Sequence, residues 1–202
     1  MTRRGKTMKE WKIVIGSPGK IIAGNIRVES KMVDARTHPL LNRTTNSRSN
    51  DSRLNLTGFI KMTDTILSEH DNKEYRESRK YKELLFKKDD IFFVYDEDQP
   101  KSSLFQETNS NTVQNKDLIQ KKSFQLELTT IKSGNSYYLI NGTFTGFLKN
   151  FEENDFIQLQ NVSIVEYLKR EEGFLKLKYD KKTFVSINTK KIESVSEIVI
   201  PD

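Results

Sequence analysis

The chain has 202 residues, of which 35% are hydrophobic and 31% are charged, and this length fits one large domain or two domains of about 100 residues each. It contains no Cys, which excludes a disulfide framework, a thiolate nucleophile and a Cys-based metal site, and which suits a reducing compartment. The formal net charge is +6, but residues 1–53 hold 12 Lys/Arg against 4 Asp/Glu, a net of +8 (12 − 4), which leaves −2 for the rest (6 − 8). A positive block at one end indicates an anionic partner such as nucleic acid, although a solvated loop would carry the same charge.

The first predicted elements form a β-hairpin. Residues 11–15 alternate apolar and polar side chains, which predicts a strand. Pro18 and Gly19 suit the two central positions of a type II turn, because Pro presets φ and Gly accepts a positive φ. Residues 20–28 then form the return strand, in which Gly24 predicts a bend or a close backbone approach.

A long polar insertion, residues 31–53, follows this hairpin. It is rich in Asn, Ser, Thr and Arg, which predicts a mobile basic loop. We expect its arginines to contact phosphates of a nucleic acid; they are Arg36, Arg43, Arg48 and Arg53.

The next apolar–polar alternation, residues 59–69, predicts a strand. Residues 70–82 are almost wholly charged and polar, which predicts a long hairpin loop or a short exposed helix. Residues 84–95 supply the last strands of this half, with a turn at 87–90. Residues 98–122 read as a flexible linker, with a short helix at 117–121.

Strands and turns also fill the second half. Residues 124–128 alternate cleanly and residues 133–135 predict a turn. Residues 137–151 predict one long strand that bends at Gly142, in preference to a hairpin turn at that position. Further strands are expected at 156–168, 174–179 and 183–199. Helical spacing of apolar residues over three turns is absent from the sequence, so the predicted fold class is all-β.

The two halves repeat one another in sequence. Residues 156–166 match residues 59–69 at an offset of 97 (156 − 59), and Gly142 matches Gly24 at an offset of 118 (142 − 24). Ile192 matches Ile91 at an offset of 101 (192 − 91), although alternating strands can also be alike by chance. We therefore predict two tandem small barrels of the Sm-like or SH3-like kind, at residues 9–97 (with insertion 31–53) and 123–200, joined by the linker 98–122.

The residues that catalysis needs are scarce in this sequence. His38 and His70 lie in polar segments, and the sequence places no nucleophile beside a base. Residues 16–20 lack the spacing of a phosphate-binding loop. We therefore expect no enzyme activity and no cofactor or metal. Aromatic residues such as Tyr137 either pack in the core or stack on bases from an exposed strand face.

The second half resembles the Sm-like family, which includes the bacterial RNA chaperone Hfq. The residues that carry the resemblance are a strand bent at a Gly (140–148), an aromatic–acidic–polar turn (151–154), the strand Phe-Ile-Gln-Leu-Gln-Asn (156–161) and a closing motif (184–195). Both halves are also similar to a bacterial family of small β domains with no known activity.

The resemblance implies a non-catalytic protein that binds single-stranded RNA in the cytoplasm as a post-transcriptional regulator. It implies contacts from Asn154 and from the closing-motif residues Thr189, Lys190 and Lys191. The alternative is a protein–protein scaffold or oligomeric ring component with no nucleic-acid role, which self-associates through barrel edge strands. We expect no membrane association, because the basic N-terminal residues 1–8 are not followed by a long apolar segment.

Overall fold

The computed structural model describes residues 8–29, 58–71, 74–97, 122–146 and 154–198. The strands are β1 (Met8–Ser17), β2 (Lys20–Glu29), β3 (Phe59–Asp71), β4 (Glu74–Lys87), β5 (Phe93–Asp96), β6 (Lys122–Thr130), β7 (Ser136–Gly146), β8 (Phe156–Arg170), β9 (Gly173–Lys178), β10 (Lys182–Asn188) and β11 (Ile192–Glu197). Two 3-10 helices, Lys88–Asp90 and Thr189–Lys191, precede the last strand of each half. The all-β prediction is confirmed, and within the described residues no helix is long and apolar enough to cross a membrane.

The described strands form one open antiparallel sheet in the order β11-β6-β7-β8-β10-β5-β1-β2-β3-β4, with β9 added on β8. The two separate tandem barrels that the sequence predicts are therefore not confirmed. The two halves share this sheet because β5 pairs with β10, through Val94 opposite Ser186 and Phe93 opposite Ile187. The predicted linker and the insertion 31–53 lie outside the described residues, and the domain boundaries stay predictions.

The order of connections is the same in both halves. In the first half, β1 to β4 form a meander, and after the 3-10 helix the chain returns as β5 to pair with β1. In the second half, β6 to β8 form the meander, and β9 and β10 together occupy the place of β4. After the second 3-10 helix the chain returns as β11 to pair with β6.

Local backbone features recur at the offsets that the sequence predicts. The β2–β3 register shifts at Gly24 and the β7–β8 register shifts at Gly142 (142 − 24 = 118). Asp64 has φ 47° and Asn161 has φ 52°, and these two left-handed residues are 97 apart (161 − 64). Strand β7 continues through Gly142 with a shift in register and without a hairpin turn, as predicted. A Cβ at this position would lie 3.1 Å from the carbonyl oxygen of Gln160, so the close backbone approach favours a Gly.

The prediction of a loop or helix at residues 70–82 is wrong. Strand β3 continues to Asp71, and β4 runs from Glu74 to Lys87 beside it as an antiparallel hairpin. The charged residues of this segment do not alternate with apolar ones, because β4 is the outer strand of the described sheet and most of its side chains are exposed. An edge strand does not need an apolar face, and charged side chains there discourage unwanted pairing.

Each half contributes an aromatic residue to the other half's core. Phe93 of β5 is fully buried among second-half residues, which include Tyr138, Leu159 and Ile187. Phe156 of β8 is buried in the first-half core. Burying a Phe side chain contributes about 1.5–3 kcal/mol, so this exchange binds the halves together more firmly than the two paired residues of β5 and β10 would alone.

Candidate functional site

The predicted RNA-contacting residues of the closing motif make contacts within the protein. The Thr189 hydroxyl donates to the carbonyl oxygens of Asn154 at 2.7 Å and of Asp155 at 3.2 Å, so it fastens the loop before β8. The Lys190 ammonium lies 2.8 Å from the Asp155 carboxylate, whose hydrogen bond and charge raise the pKa of Lys190. The Lys191 ammonium lies 5.3 Å above the ring of Phe92. The structure thus brings Asn154, Thr189 and Lys190 together, with Lys191 directed toward the first half.

Each half has a closing segment, which is its 3-10 helix with the strand residues on either side. The two closing segments lie next to each other where β5 pairs with β10. The buried Asn188 side chain donates to the carbonyl oxygen of Ile91 at 2.9 Å and accepts from the backbone N–H of Lys190 at 3.0 Å. It also reaches the carbonyl oxygen of Lys88 at 3.4 Å, and partial burial lowers the pKa of Lys88. The buried amide of Asn188 therefore connects the two 3-10 helices through the backbone of Lys88 and of Lys190.

The predicted phosphate-binding arginines lie outside the described residues. They are Arg36, Arg43, Arg48 and Arg53, all within the insertion 31–53. Within the described ranges, no group of three or more His, Cys, Asp or Glu side chains is placed to hold a metal ion.

A fully buried carboxylate, Glu166, accepts four hydrogen bonds from both halves, and sequence reasoning missed it. Its Oε1 accepts from the backbone N–H of Gly19 at 2.9 Å and from the Ser136 hydroxyl at 2.5 Å. Its Oε2 accepts from the Tyr179 hydroxyl at 2.9 Å and from the Tyr75 hydroxyl. Gly19 and Tyr75 belong to the first half and the other residues to the second, so one carboxylate joins four strands or turns.

The phenols around Glu166 are held in their neutral form. Burial, followed by the charge of Glu166, raises the pKa of Tyr75, and burial also raises the pKa of Tyr138 and of Tyr179 well above their ordinary value. A phenol whose pKa is raised is a poor general base near neutral pH, so this cluster suits a structural role better than proton transfer.

The repeat offers a comparison for this site, because Glu69 is the counterpart of Glu166 (166 − 97 = 69). Glu69 lies 3.8 Å from the Lys20 ammonium, and its side chain is 43% exposed. Two equivalent glutamates thus occupy opposite environments, and no local sequence signal distinguishes them. The difference comes from Gly19 and Tyr75, which reach Glu166 from the other half.

Exposed apolar side chains mark the two ends of the sheet. Leu85 on β4 and Val195 on β11 are both 45% exposed. Within the described part of the chain, β4 and β11 each pair with a strand on one side only. Apolar side chains on an unpaired edge favour pairing with another chain.

Comparisons of this chain with protein-family models, with curated proteins and with solved structures give no match.

Proposed function

We propose that this chain is a non-catalytic cytoplasmic binding protein that assembles with copies of itself, head to tail, through β4 and β11, the outer strands of the described sheet. The observation that carries the proposal is the pairing of β5 with β10 inside one chain. We call this pairing the internal joint. β4 is the first-half counterpart of β10, and β11 is the second-half counterpart of β5. The strands that could form the same joint between two molecules therefore lie at the two outer edges of the sheet.

The offset of 101 between the halves identifies the residues that would meet. In the internal joint Ser186 lies opposite Val94. The counterparts are Leu85 (186 − 101) and Val195 (94 + 101), which are the two exposed apolar residues of these edges. In the same register Lys87 would face Glu193, a pair of opposite charge.

Burying these two side chains removes apolar surface from water, and the unpaired backbone groups of both edges gain partners. Because the two edges differ, the contact is heterologous. Each such contact relates one chain to the next by a fixed rotation. A whole number of these rotations that completes a full turn closes a ring, and any other rotation gives an open filament.

Analytical ultracentrifugation tests the assembly, because the molar mass that it gives for an assembly is a multiple of the chain mass of 23.6 kDa. We expect Leu85→Lys to give monomers, and Leu85→Lys combined with Val195→Glu to restore the assembly through an ion pair. Phe174→Lys is the matched control, because Phe174 is exposed on β9, outside the joint. Wild-type protein that sediments as a monomer at all concentrations tested would overturn the proposal.

Single-stranded RNA is the second candidate ligand, supported by the lysines that adjoin at the closing segments. Lys88, Lys190 and Lys191 come from the two 3-10 helices, which Asn188 connects. Titration of a labelled unstructured RNA at two salt concentrations tests this candidate, since phosphate-driven binding weakens steeply as salt rises. Absence of binding at low salt would exclude it and leave the assembly proposal intact.

A further inference from the structure

Strands β7, β8 and β9 present a face that combines three aromatic rings with three lysines. Tyr137, Tyr167 and Phe174 supply the rings, and Lys169, Lys176 and Lys178 supply the ammonium groups; we name this set the aromatic–lysine face. Direct cross-strand pairing puts these side chains on one side of the sheet: Tyr137 lies opposite Tyr167, Tyr167 opposite Lys176, and Lys169 opposite Phe174. The side chains at alternate positions, such as Glu166 and Leu168, are buried on the other side.

The rings are arranged as an open stacking surface. Tyr137 and Tyr167 are stacked, with centroids 5.0 Å apart and an interplanar angle of 5°. Phe174 stands at 79° to Tyr137 and is 53% exposed, so much of its surface faces solvent. Cross-strand aromatic pairs stabilise a sheet, but that role does not require a large ring to remain half exposed at the margin.

The charges on the face select the kind of partner. Lys169, Lys176 and Lys178 are all exposed, and the Lys176 ammonium lies 5.3 Å over the Tyr167 ring. Glu171 and Glu172 of the adjoining β8–β9 turn line one depression together with Lys169 and Arg170, so acidic side chains border one end of the face. Exposed rings interleaved with ammonium groups match the alternating bases and phosphates of a single strand.

We propose that the aromatic–lysine face binds single-stranded RNA by stacking bases on Phe174 and the Tyr137–Tyr167 pair while the three lysines contact phosphates. The ligand class rests on the RNA candidate above, but the site is a different one, on another part of the second half from the closing motif. Lys176 and Lys178 of the face adjoin Tyr75 near the start of β4, but the face does not include Leu85 or Val195, which carry the assembly proposal.

The test uses the full chain and a fluorescent 12-residue oligouridylate, with anisotropy read at several salt concentrations. We expect Phe174→Leu, which keeps an apolar side chain but removes the π-face, to weaken binding about tenfold, since stacking on one aromatic residue changes affinity by roughly 5- to 150-fold. Phe174→Trp should bind at least as tightly as wild type. Lys176→Ala should flatten the slope of log affinity against log salt by about 0.7, the effect of one phosphate contact on a single strand.

Three outcomes would overturn the inference. Equal affinity of the Phe174→Leu and Phe174→Trp proteins would mean that no base stacks there. Loss of binding in Lys190→Ala/Lys191→Ala, with wild-type affinity in the Phe174 variants, would place RNA at the closing motif instead, so the RNA candidate would survive without this site. Binding of anionic vesicles with no binding of oligouridylate would assign the face to a lipid surface and refute both.

Discussion

Replacing Glu166 by Gln should destabilise the fold by about 2–3 kcal/mol, whereas the same change at its counterpart Glu69 should cost less than about 1 kcal/mol. Gln keeps the shape of the buried side chain but removes its charge. The amide oxygen can still accept from Gly19 and Ser136, but the NH2 group must donate to the hydroxyls of Tyr75 and Tyr179, so two of the four hydrogen bonds reverse direction. All four become neutral, and each loses about 1 kcal/mol, because bonds to charged groups contribute about 1.5–3 kcal/mol against about 0.5–1.5 for neutral ones. Part of this loss is recovered because a buried charge carries a desolvation penalty of several kcal/mol.

The assay is urea denaturation followed by the fluorescence of Trp11, the one Trp in the chain, which packs against the first-half core. Low protein concentration keeps self-association from contributing to the measured stability. Glu69 is the matched control, because its side chain is 43% exposed and its carboxylate lies 3.8 Å from the Lys20 ammonium, at the long end of ion-pair distances. Equal losses in the Glu166→Gln and Glu69→Gln proteins would refute the role assigned to the buried carboxylate.

Two further predictions concern the bent strand and alkaline pH. Gly142→Ala should lower the free energy of unfolding by about 1–3 kcal/mol, because the new Cβ would meet the Gln160 carbonyl oxygen at 3.1 Å. Gly58→Ala is the control and should lower it by less than about 1 kcal/mol, because a Cβ at residue 58 would have no atom within 4 Å. Equal urea midpoints for the two variants would contradict this. Burial, and then the charges of nearby carboxylates, raises the pKa of Tyr95 from 10.0 to about 12. Between these two pH values the unfolded chain loses a proton that the folded chain keeps, so the free energy of unfolding falls as pH rises. Tyr95→Phe should therefore decline less between pH 10 and 12 in the same assay, and an unchanged decline would show that Tyr95 does not titrate differently on folding.

Much of the fold can be predicted from the sequence, because the repeat carries backbone information. The positive φ of Asp64 and Asn161 and the register shifts at Gly24 and Gly142 require particular residue types, so they leave matched positions in both halves. The turn at Gly19, which has φ 72°, was predicted for the same reason.

The way the halves combine could not be predicted in the same way. The β5–β10 pairing involves two residue pairs between strands that are about ninety positions apart, and alternating sequences do not specify their neighbours. Two of the four hydrogen bonds that Glu166 accepts come from Gly19 and Tyr75 of the first half. A site that depends on contacts between distant segments has no local signature, which is why Glu69 and Glu166 look alike in the sequence.

Disulfide crosslinking shows whether the pairing of β5 with β10 recurs between β4 of one molecule and β11 of the next. The chain has no Cys, so Leu85→Cys combined with Val195→Cys introduces the only two thiols. Directly opposed residues of antiparallel strands have Cα atoms about 4.5–5.5 Å apart, within the range of about 4.4–6.8 Å that a disulfide spans. Mild oxidation of the double variant should give a ladder of covalent multimers on a non-reducing gel, whereas each single variant should form nothing larger than a dimer. A double variant that stays monomeric, or that behaves like the single variants, would contradict head-to-tail assembly through β4 and β11.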